Sequence, residues 1–446
     1  MDQYRLTSEC HIIPFPNEND PLLLLYFPLQ SLILKINQSG AEVIKKLKKQ
    51  TITDCNGSEK KFLDHLAAIG VVNSSSDKFP VHYYPPEPKP FRTMLITSDN
   101  CNLRCIYCYG SSGDSGSLMS YEIAKTAVDL LIENAGKLKT GFIDLGFHVG
   151  GEPTLNWSVL KEVVEYAESR CKHEELNLRS AICTNGMLAT EENVQWLAEH
   201  IKSITVSIDG PPEFQNLQRP RADGGPSFDH VANTIDIFRS LGKSFVFRST
   251  ATAYTSGKMP EIYTYLVDRF HPAIICIEPL FMCGRCETTQ CKPPEAQSFI
   301  NDIIQTMNLT KKKKVPLQYS GGRLFYIDNI FCGASGKNFF VTPSGDVTSC
   351  VEVTNRADPR ADLFMYGEYD HDAGVFRFDV ERYRKLCTLQ VQKFESCKDC
   401  YARWHCSGDC LAKKPNMDEI GLNSNSYRCL INRAVTRQQL LGELKG

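Results

Sequence analysis

The apolar positions of this chain follow three different rules along its 446 residues. Over residues 1–85 they form short strand-like runs, Cys10 to Phe15, Leu22 to Phe27 and Leu32 to Ile36, punctuated by Pro and Asn. Two helical patterns follow, Gly40 to Lys48 and Glu59 to Ile69, the second closed by Gly70. A small α+β unit is the expected result. Residues 77–91 carry Pro80, Pro85, Pro86, Pro88 and Pro90, which suit neither periodicity, so a linker ends the unit there. From Phe91 to about Phe281, strand and helix patterns alternate six times. The strands expected are Thr93 to Thr97, Phe142 to His148, Arg179 to Thr184, Ile204 to Ile208, Phe245 to Ala251 and Ala273 to Ile277. The helices between them are Tyr121 to Ala135, Val159 to Cys171, Glu191 to His200, Asp229 to Leu241 and Met259 to Phe270, with Ile123, Ala127 and Leu131 marking a core-facing stripe. Such alternation predicts a parallel α/β sheet with right-handed crossovers, whose ligands bind at the C-terminal strand ends. From about Gln318 the alternation stops, and Gly, Asp and Cys-rich irregular stretches take over.

Composition narrows the function. A 42% hydrophobic and 23% charged chain is globular rather than disordered, and a net charge of -2 sets up no field for nucleic acid or anionic membrane. The basic run Lys311 to Lys314 is expected to be a solvated loop. Leu22 to Tyr26 is too short to cross a bilayer and no basic flank precedes an apolar run at the N-terminus, so a cytoplasmic location is expected. A reducing compartment disfavours disulfides, which leaves metal binding or catalysis as the use of the 19 cysteines.

After the first strand of the alternating region the chain reads Asn100-Cys101-Asn-Leu-Arg-Cys105-Ile-Tyr107-Cys108-Tyr109. Thiolates are soft ligands suited to iron-sulfur clusters. Three of them bind three irons of a 4Fe-4S cube and leave the fourth open, where a structural site would be closed. A zinc loop or a plain ferredoxin-type cluster is the competing reading. The run resembles the C-x3-C-x-aromatic-C signature of the radical S-adenosylmethionine (SAM) superfamily, with Tyr107 at the aromatic position. The resemblance implies a partial (β/α)6 TIM barrel in which Cys101, Cys105 and Cys108 hold the cluster, and SAM chelates the open iron and is cleaved to a 5'-deoxyadenosyl radical. Gly150-Gly151-Glu152-Pro153 matches the family's segment for the SAM amino group, and Thr184-Asn185-Gly186 resembles its ribose-side turn. Ser207-Ile208-Asp209-Gly210 resembles its serine-bearing SAM segment, and Arg219 has the spacing of the arginine for the SAM carboxylate, with Arg221 in competition. Arg248 suits a polar wall or a structural role.

Cys332, Gly345, Cys350, Cys397, Cys400, Cys406, Cys410 and Cys429 are spaced C-x12-G-x4-C, gap, C-x2-C-x5-C-x3-C, gap, C, which resembles the seven-cysteine SPASM pattern. The resemblance implies two auxiliary 4Fe-4S clusters, one on Cys332, Cys350 and Cys410 and one on Cys397, Cys400, Cys406 and Cys429, for three clusters in all. Residues 321–331 lack the extra upstream cysteine of fully ligated members, so the first auxiliary cluster has an open iron or recruits Cys283, Cys286 or Cys291; that C-x2-C-x4-C run also reads as a zinc or substrate-facing thiol group. Cys10, Cys55, Cys171, Cys183, Cys276 and Cys387 have no ligand-like spacing and are expected to be small buried residues.

The first unit, with its three strands and then helices, resembles a PqqD-like recognition element, a winged-helix-like α+β module. The resemblances divide the chain into a leader-binding unit at 1–85, a radical SAM core at 91–300 and a SPASM domain at 318–440. Together they imply a radical SAM peptide maturase that binds a ribosomally made precursor through its leader, takes electrons from a flavodoxin or ferredoxin-type reductant, and installs an intramolecular thioether. Carbon-carbon crosslinking or epimerisation is the alternative within that class. A sulfatase-maturing enzyme is disfavoured, because Val351 stands where that family has an aspartate and Glu352, one residue on, is expected to point elsewhere. A cysteine-rich zinc or electron-transfer module is the non-enzyme alternative.

Overall fold

In the computed structural model, residues 3–15, 21–75, 77–113, 116–188, 190–324, 326–413 and 426–444 are described. The first unit is an antiparallel sheet of β1 (His11–Pro14), β2 (Leu23–Phe27) and β3 (Leu32–Ile36) with β2 central, followed by α1 (Gln38–Lys49) and α2 (Gly57–Ala68). Asn37 caps α1 through Gly40 N, and Asn56 with Glu59 forms a capping box on α2, so each helix starts where a side chain satisfies its free N–H groups. Leu25, Phe27, Ile44, Leu63 and Leu66 close a small core between sheet and helices. Ile13, Leu24 and Tyr26, on the other face, pack on Leu324, Leu440 and Leu441 of the C-terminal region.

The proline-rich linker forms no regular element, yet it is held: Asn329 Nδ2 donates to Pro80 O at 2.9 Å, and His82 pairs with Asp328 at 2.5 Å.

Six parallel strands follow in spatial order, β4 (Arg92–Leu95), β5 (Phe142–Phe147), β6 (Asn177–Thr184), β7 (Ser203–Ser207), β8 (Phe245–Ala251) and β9 (Ile274–Pro279). They alternate with α3 (Tyr121–Leu138), α4 (Trp157–His173), α5 (Glu191–His200), α7 (Phe228–Ser240) and α8 (Met259–Phe270), and a short α6 (Pro212–Gln218) follows β7. This is the partial barrel that the alternation predicts. The stripe Ile123, Ala127 and Leu131 is buried against the sheet, as its spacing requires.

Two expectations are overturned here. Lys311, Lys312 and Lys313 are the last turn of α9 (Ala296–Lys313) rather than a loop; cations at a helix C-terminus face its negative dipole end, and Lys313 pairs with Asp268 at 2.6 Å. The irregular C-terminal stretch also builds regular structure. After edge strand β10 (Leu317–Gln318), the strands β11 (Phe340–Val341), β12 (Asp346–Thr348), β13 (Met365–Asp370) and β14 (Val375–Phe378) extend the barrel sheet. Phe340 and Val341 pair parallel with Met94 and Leu95, which couples the cysteine-rich region to the first barrel strand. Phe339, Val341 and Val347 accordingly belong to the same core as Leu95 and Ile123.

Candidate active site

A cavity of about 190 Å3 lies at the C-terminal ends of the barrel strands. Cys101, Cys105, Tyr107 and Cys108 reach it from the loop after β4, His148 to Glu152 from the loop after β5, Thr184 and Asn185 from β6, and Ser207 from β7. Arg219 follows α6, and Arg248, Thr250 and Glu278 come from β8 and β9. Cys283, beside the first loop, and Glu352 and Lys413 complete the lining, so the cysteine-rich region contributes to the same wall through the last two. At Arg248 and Glu278 the cavity abuts a second of about 630 Å3, lined by Tyr319, Arg323 and Gln439 among others.

Close backbone contact explains the local sequence. Gly151 N donates to Ser98 O at 2.7 Å and Glu152 N to Asn100 O at 2.8 Å, and a Cβ on Gly151 would collide with the Asn100 carbonyl. The glycine pair therefore lets the second loop lie on the first. Gly150, at φ 71°, follows Val149, at φ 73°; a β-branched residue there is strained, which marks a turn held by its surroundings. Glu152 is 2% exposed: its Oε1 accepts from Thr154 N (3.2 Å), Thr154 Oγ1 (2.8 Å) and Thr184 Oγ1 (2.8 Å), and Oε2 accepts from Asn185 N (2.7 Å). Burial raises its pKa, and these donors offset part of the rise.

Pro153 and Asp209 stand behind the cavity rather than on it. Pro153 O accepts from Thr97 Oγ1 at 3.1 Å and opens a short 3-10 turn. Asp209 Oδ2 accepts from Tyr107 Oη, from Gln218 Nε2 at 3.0 Å and from Arg219 Nε at 3.0 Å, while Oδ1 accepts from Thr250 N at 3.0 Å. It fixes the aromatic and the arginine that do line the cavity. Arg219 lies 5.3 Å over the Tyr107 ring, whereas Arg221 turns outward onto Asp223. The structure thus separates the two competing arginines.

Several lining residues had no motif to announce them. Burial, with Arg248 nearby, lowers the His148 pKa to about 3, so its imidazole is neutral. Glu278 accepts from Ser320 N at 2.8 Å and Ser320 Oγ at 2.9 Å. His148 and Glu278 lie at strand ends, where the parallel-sheet rule places chemistry. Cys183 and Cys276 are corrections: strand alternation turns Cys183 into the first cavity and Cys276 into the second, while Cys10 and Cys171 are buried and Cys55 and Cys387 half-buried. Glu352 is another. Val353 N donates to Cys350 O at 3.1 Å, and this turn swings Glu352 back toward the cavity instead of away from it.

All 19 cysteines are free thiols. Cys101, Cys105 and Cys108 lie near enough that each thiolate, once formed, would feel the others, and the same holds within Cys332, Cys350 and Cys410 and within Cys397, Cys400, Cys406 and Cys429. Burial pushes the Cys101 thiol up to about 11 and the Cys105 and Cys410 thiols to about 12. In the run from 283 to 291, Cys286 and Cys291 are fully buried with Tyr107 and Leu280 beneath the first loop; only Cys283 reaches the cavity. Arg285 N donates to Cys108 O at 2.8 Å, and a Cβ on Gly284 would collide with that carbonyl, so this run buttresses the loop. Among the described residues no three His, Cys, Asp or Glu side chains gather tightly enough for a single metal ion.

Residues 95–255 match the family model of the radical SAM superfamily. The chain is a radical SAM enzyme. It is 24% identical over 355 residues to the cysteine-type anaerobic sulfatase-maturating enzyme of Clostridium perfringens (strain ATCC 13124), covering 76% of this chain and 94% of that one. It is 20% identical over 472 residues to the radical SAM cyclopropyl synthase TigE of Paramaledivibacter caminithermalis, covering 95% and 94%. Among solved structures, native anSMEcpe with bound AdoMet and Cp18Cys peptide superposes with a TM-score of 0.61 at 18% identity, over 80% of this chain and 99% of that one. Streptococcus suis SuiB bound to precursor peptide SuiA superposes with a TM-score of 0.53 at 14% identity, over 95% and 99%. These likenesses establish a shared fold.

A radical SAM enzyme uses SAM and a 4Fe-4S cluster, and the residues fit both. Buried thiols that are neutral alone ionise when a metal binds them. Donors stand ready for the resulting thiolates: Asn185 Nδ2 is 3.7 Å from Cys101 Sγ and Arg219 Nη1 4.0 Å from Cys105 Sγ. No helix among the described residues is long and apolar enough to cross a membrane.

Proposed function

We propose that this radical SAM enzyme modifies a ribosomally made peptide and installs an intramolecular thioether. The observation that carries the reading is the shared cavity: the three-cysteine loop and the motif residues of the barrel line one space together with Glu352 and Lys413, which follow Cys350 and Cys410. A peptide held there lies between the two redox-active ends. Joining sulfur to carbon removes one hydrogen from a C–H and one from an S–H. When bound, SAM with its reduced cluster would supply the acceptor of the C–H hydrogen atom and auxiliary clusters the acceptor of the remaining electron, while the S–H proton leaves to solvent.

The chain's own residues orient and insulate. Cys101, Cys105 and Cys108 would hold the SAM-binding cluster. Glu152 Oε2 accepts one protein bond and has a lone pair for an ammonium donor; Arg219, fixed by Asp209, offers its Nη atoms to a carboxylate. Ser207, Thr184 and Asn185 supply hydroxyl and amide partners to the nucleoside. Cys332, Cys350 and Cys410, and separately Cys397, Cys400, Cys406 and Cys429, would hold two auxiliary 4Fe-4S clusters. In the N-terminal unit β3 is paired, among the described residues, on one side only, by β2, and a leader adding there as a further strand would gain backbone hydrogen bonds. A flavodoxin or ferredoxin-type protein would supply the electrons.

The test is co-production of this chain with the short cysteine-bearing peptides encoded beside its gene. Mass spectrometry should show two hydrogens lost per linkage, with the cysteine no longer alkylated; unchanged mass in every such peptide sinks the thioether. The variant C101A/C105A/C108A should lose SAM cleavage with dithionite. A second reading, sulfatase maturation, is supported by the Clostridium relative and by Glu352, which faces the cavity after all. It requires that a sulfatase co-produced with this chain emerge modified when no small peptide does.

A further inference from the structure

We propose that the Glu352 carboxylate is the fourth ligand of the cluster held by Cys332, Cys350 and Cys410. The proposal rests on the reading of those three cysteines as one ligand set. A closed iron-sulfur cluster takes four protein ligands, and residues 321–331 provide no further cysteine. Among the described residues, Glu352 Oε2 is buried and has no hydrogen-bond partner, which a carboxylate oxygen tolerates only when something else satisfies it. Its cationic neighbours stand back, Lys413 Nζ at 3.5 Å from Oε1 and Arg360 Nη1 at 3.8 Å from Oε2, so charge retains the carboxylate without occupying it.

Position is fixed by the backbone on both sides. The turn closed by Val353 N and Cys350 O sets Glu352 beside Cys350, and Arg360 Nη2 donates to Glu352 O at 3.3 Å. Arg360 is itself locked by Asp358 and by Ala412 O, next to Lys413. Lys413 N donates to Cys410 O at 3.3 Å, which brings that cysteine to the same rim.

The other acids and thiols nearby are committed. Asp409 is bonded through both oxygens to Arg428, at 2.8 and 2.9 Å. The Cys283 thiol donates to Phe281 O at 3.5 Å, and its loop is anchored on the barrel side. A carboxylate is a harder ligand than a thiolate and a poorer match for cluster iron. The iron it holds is therefore the one a substrate thiolate would take over.

The test uses the full chain, reconstituted without oxygen, in the C101A/C105A/C108A background so that only auxiliary clusters contribute. Iron and sulfide are counted, and the dithionite-reduced protein is examined by electron paramagnetic resonance. Glu352→Ala and the isosteric Glu352→Gln should both shift the g-values of one auxiliary signal while sulfide stays at the parent level; Cys283→Ala should leave the spectrum unchanged. Parent-like spectra for both Glu352 variants, or a shift in Cys283→Ala alone, overturn the assignment. A separate C332A/C350A/C410A variant should lose about four irons per chain; if its iron content equals the parent's, no cluster sits there and the underlying reading fails instead.

Discussion

Two glutamates stand beside two sets of three cysteines, and the protein leaves them different amounts of freedom. Glu152, near Cys101, accepts from four donors of Thr154, Thr184 and Asn185, three on Oε1 and one on Oε2, which leaves Oε2 one lone pair. Glu352, near Cys350, has an oxygen with no donor among the described residues and two cations at 3.5 and 3.8 Å. The first sits in a network contributed by two strand-end loops, so its geometry is set before any ligand arrives. The second sits on a turn between short strands and is held by long-range charge. A carboxylate fixed by four donors presents its last lone pair in a set direction to one incoming donor; one whose oxygen has no donor is available as a metal ligand. The barrel end of the cavity is thus preorganised by hydrogen bonds, whereas the Glu352 end rests on charge pairs at 3.5 and 3.8 Å.

The largest expected effect breaks the first half of this contrast. Glu152→Ala strands four side-chain and backbone donors in a buried site, each costing about 1–3 kcal/mol, so a marginal fold of this size should lose much of its stability. Glu152→Gln keeps the shape but replaces one acceptor oxygen by a donor that faces N–H groups. It should retain the parent's iron content while SAM affinity, measured by equilibrium dialysis, falls by about two orders of magnitude. If Glu152→Gln binds SAM as the parent does and Glu352→Gln does not, the roles of the two glutamates are reversed.

A third acid sharpens the contrast. Asp409, one residue before Cys410, is buried but paired bidentately with Arg428, which also reaches toward Glu278 at 3.5 Å. Because that pairing is complete, Arg428→Met should destabilise the chain by about 3–5 kcal/mol by leaving a buried charge uncompensated. The double variant Arg428→Met/Asp409→Leu should recover most of the loss in urea unfolding. A mild single variant would mean that Asp409 has another cation available, such as cluster iron, and would move the proposed fourth ligand from Glu352 to Asp409.

What could be read from the sequence divides along the same line. The helices Glu191–His200 and Met259–Phe270 and the strand Phe245–Ala251 coincide with their periodic patterns, because each spans enough residues for a stripe or an alternation to show. The loop of Cys101, Cys105 and Cys108 and the Gly150-Gly151-Glu152 turn were legible since their chemistry is contained in a few consecutive residues. Arg219 and Arg221 could not be told apart, since only the fold of α6 and the turn after it turns one inward onto Asp209 and the other onto Asp223. Strands as short as Phe340–Val341 and Asp346–Thr348 carry no period, and their place beside β4 is a tertiary fact. Glu352 and Lys413 reach the cavity through turns that follow Cys350 and Cys410, and nothing local to them signals it. Lys311 to Lys313 misled because four like charges suit a solvated loop as well as a helix end.

The smallest effect concerns a fourth acid, one that the protein keeps ionised. Glu9 accepts from His11 Nε2 at 2.8 Å and Trp404 Nε1 at 2.9 Å and pairs with Arg403, joining the N-terminal unit to the cysteine-rich region. Burial by itself would raise its pKa, but the bonds from His11, Trp404 and Arg403 outweigh burial and lower it below 4.5. A carboxylate whose pKa is depressed on folding contributes stability above its unfolded value, and that contribution is lost as pH falls through the depressed one. Stability should therefore be insensitive to this group near pH 7 and should decline on acidification below about pH 4.5. Glu9→Gln should cost about 1.5–3 kcal/mol near neutrality, from the lost charge-assisted bonds, and less as the pH drops. Comparing parent and variant at each pH cancels the acid-lability of any cluster sulfide common to both. A difference that grows toward low pH would mean that the carboxylate is paired in its protonated form, and that this interface is held like Glu352, by available charge, rather than like Glu152, by committed donors.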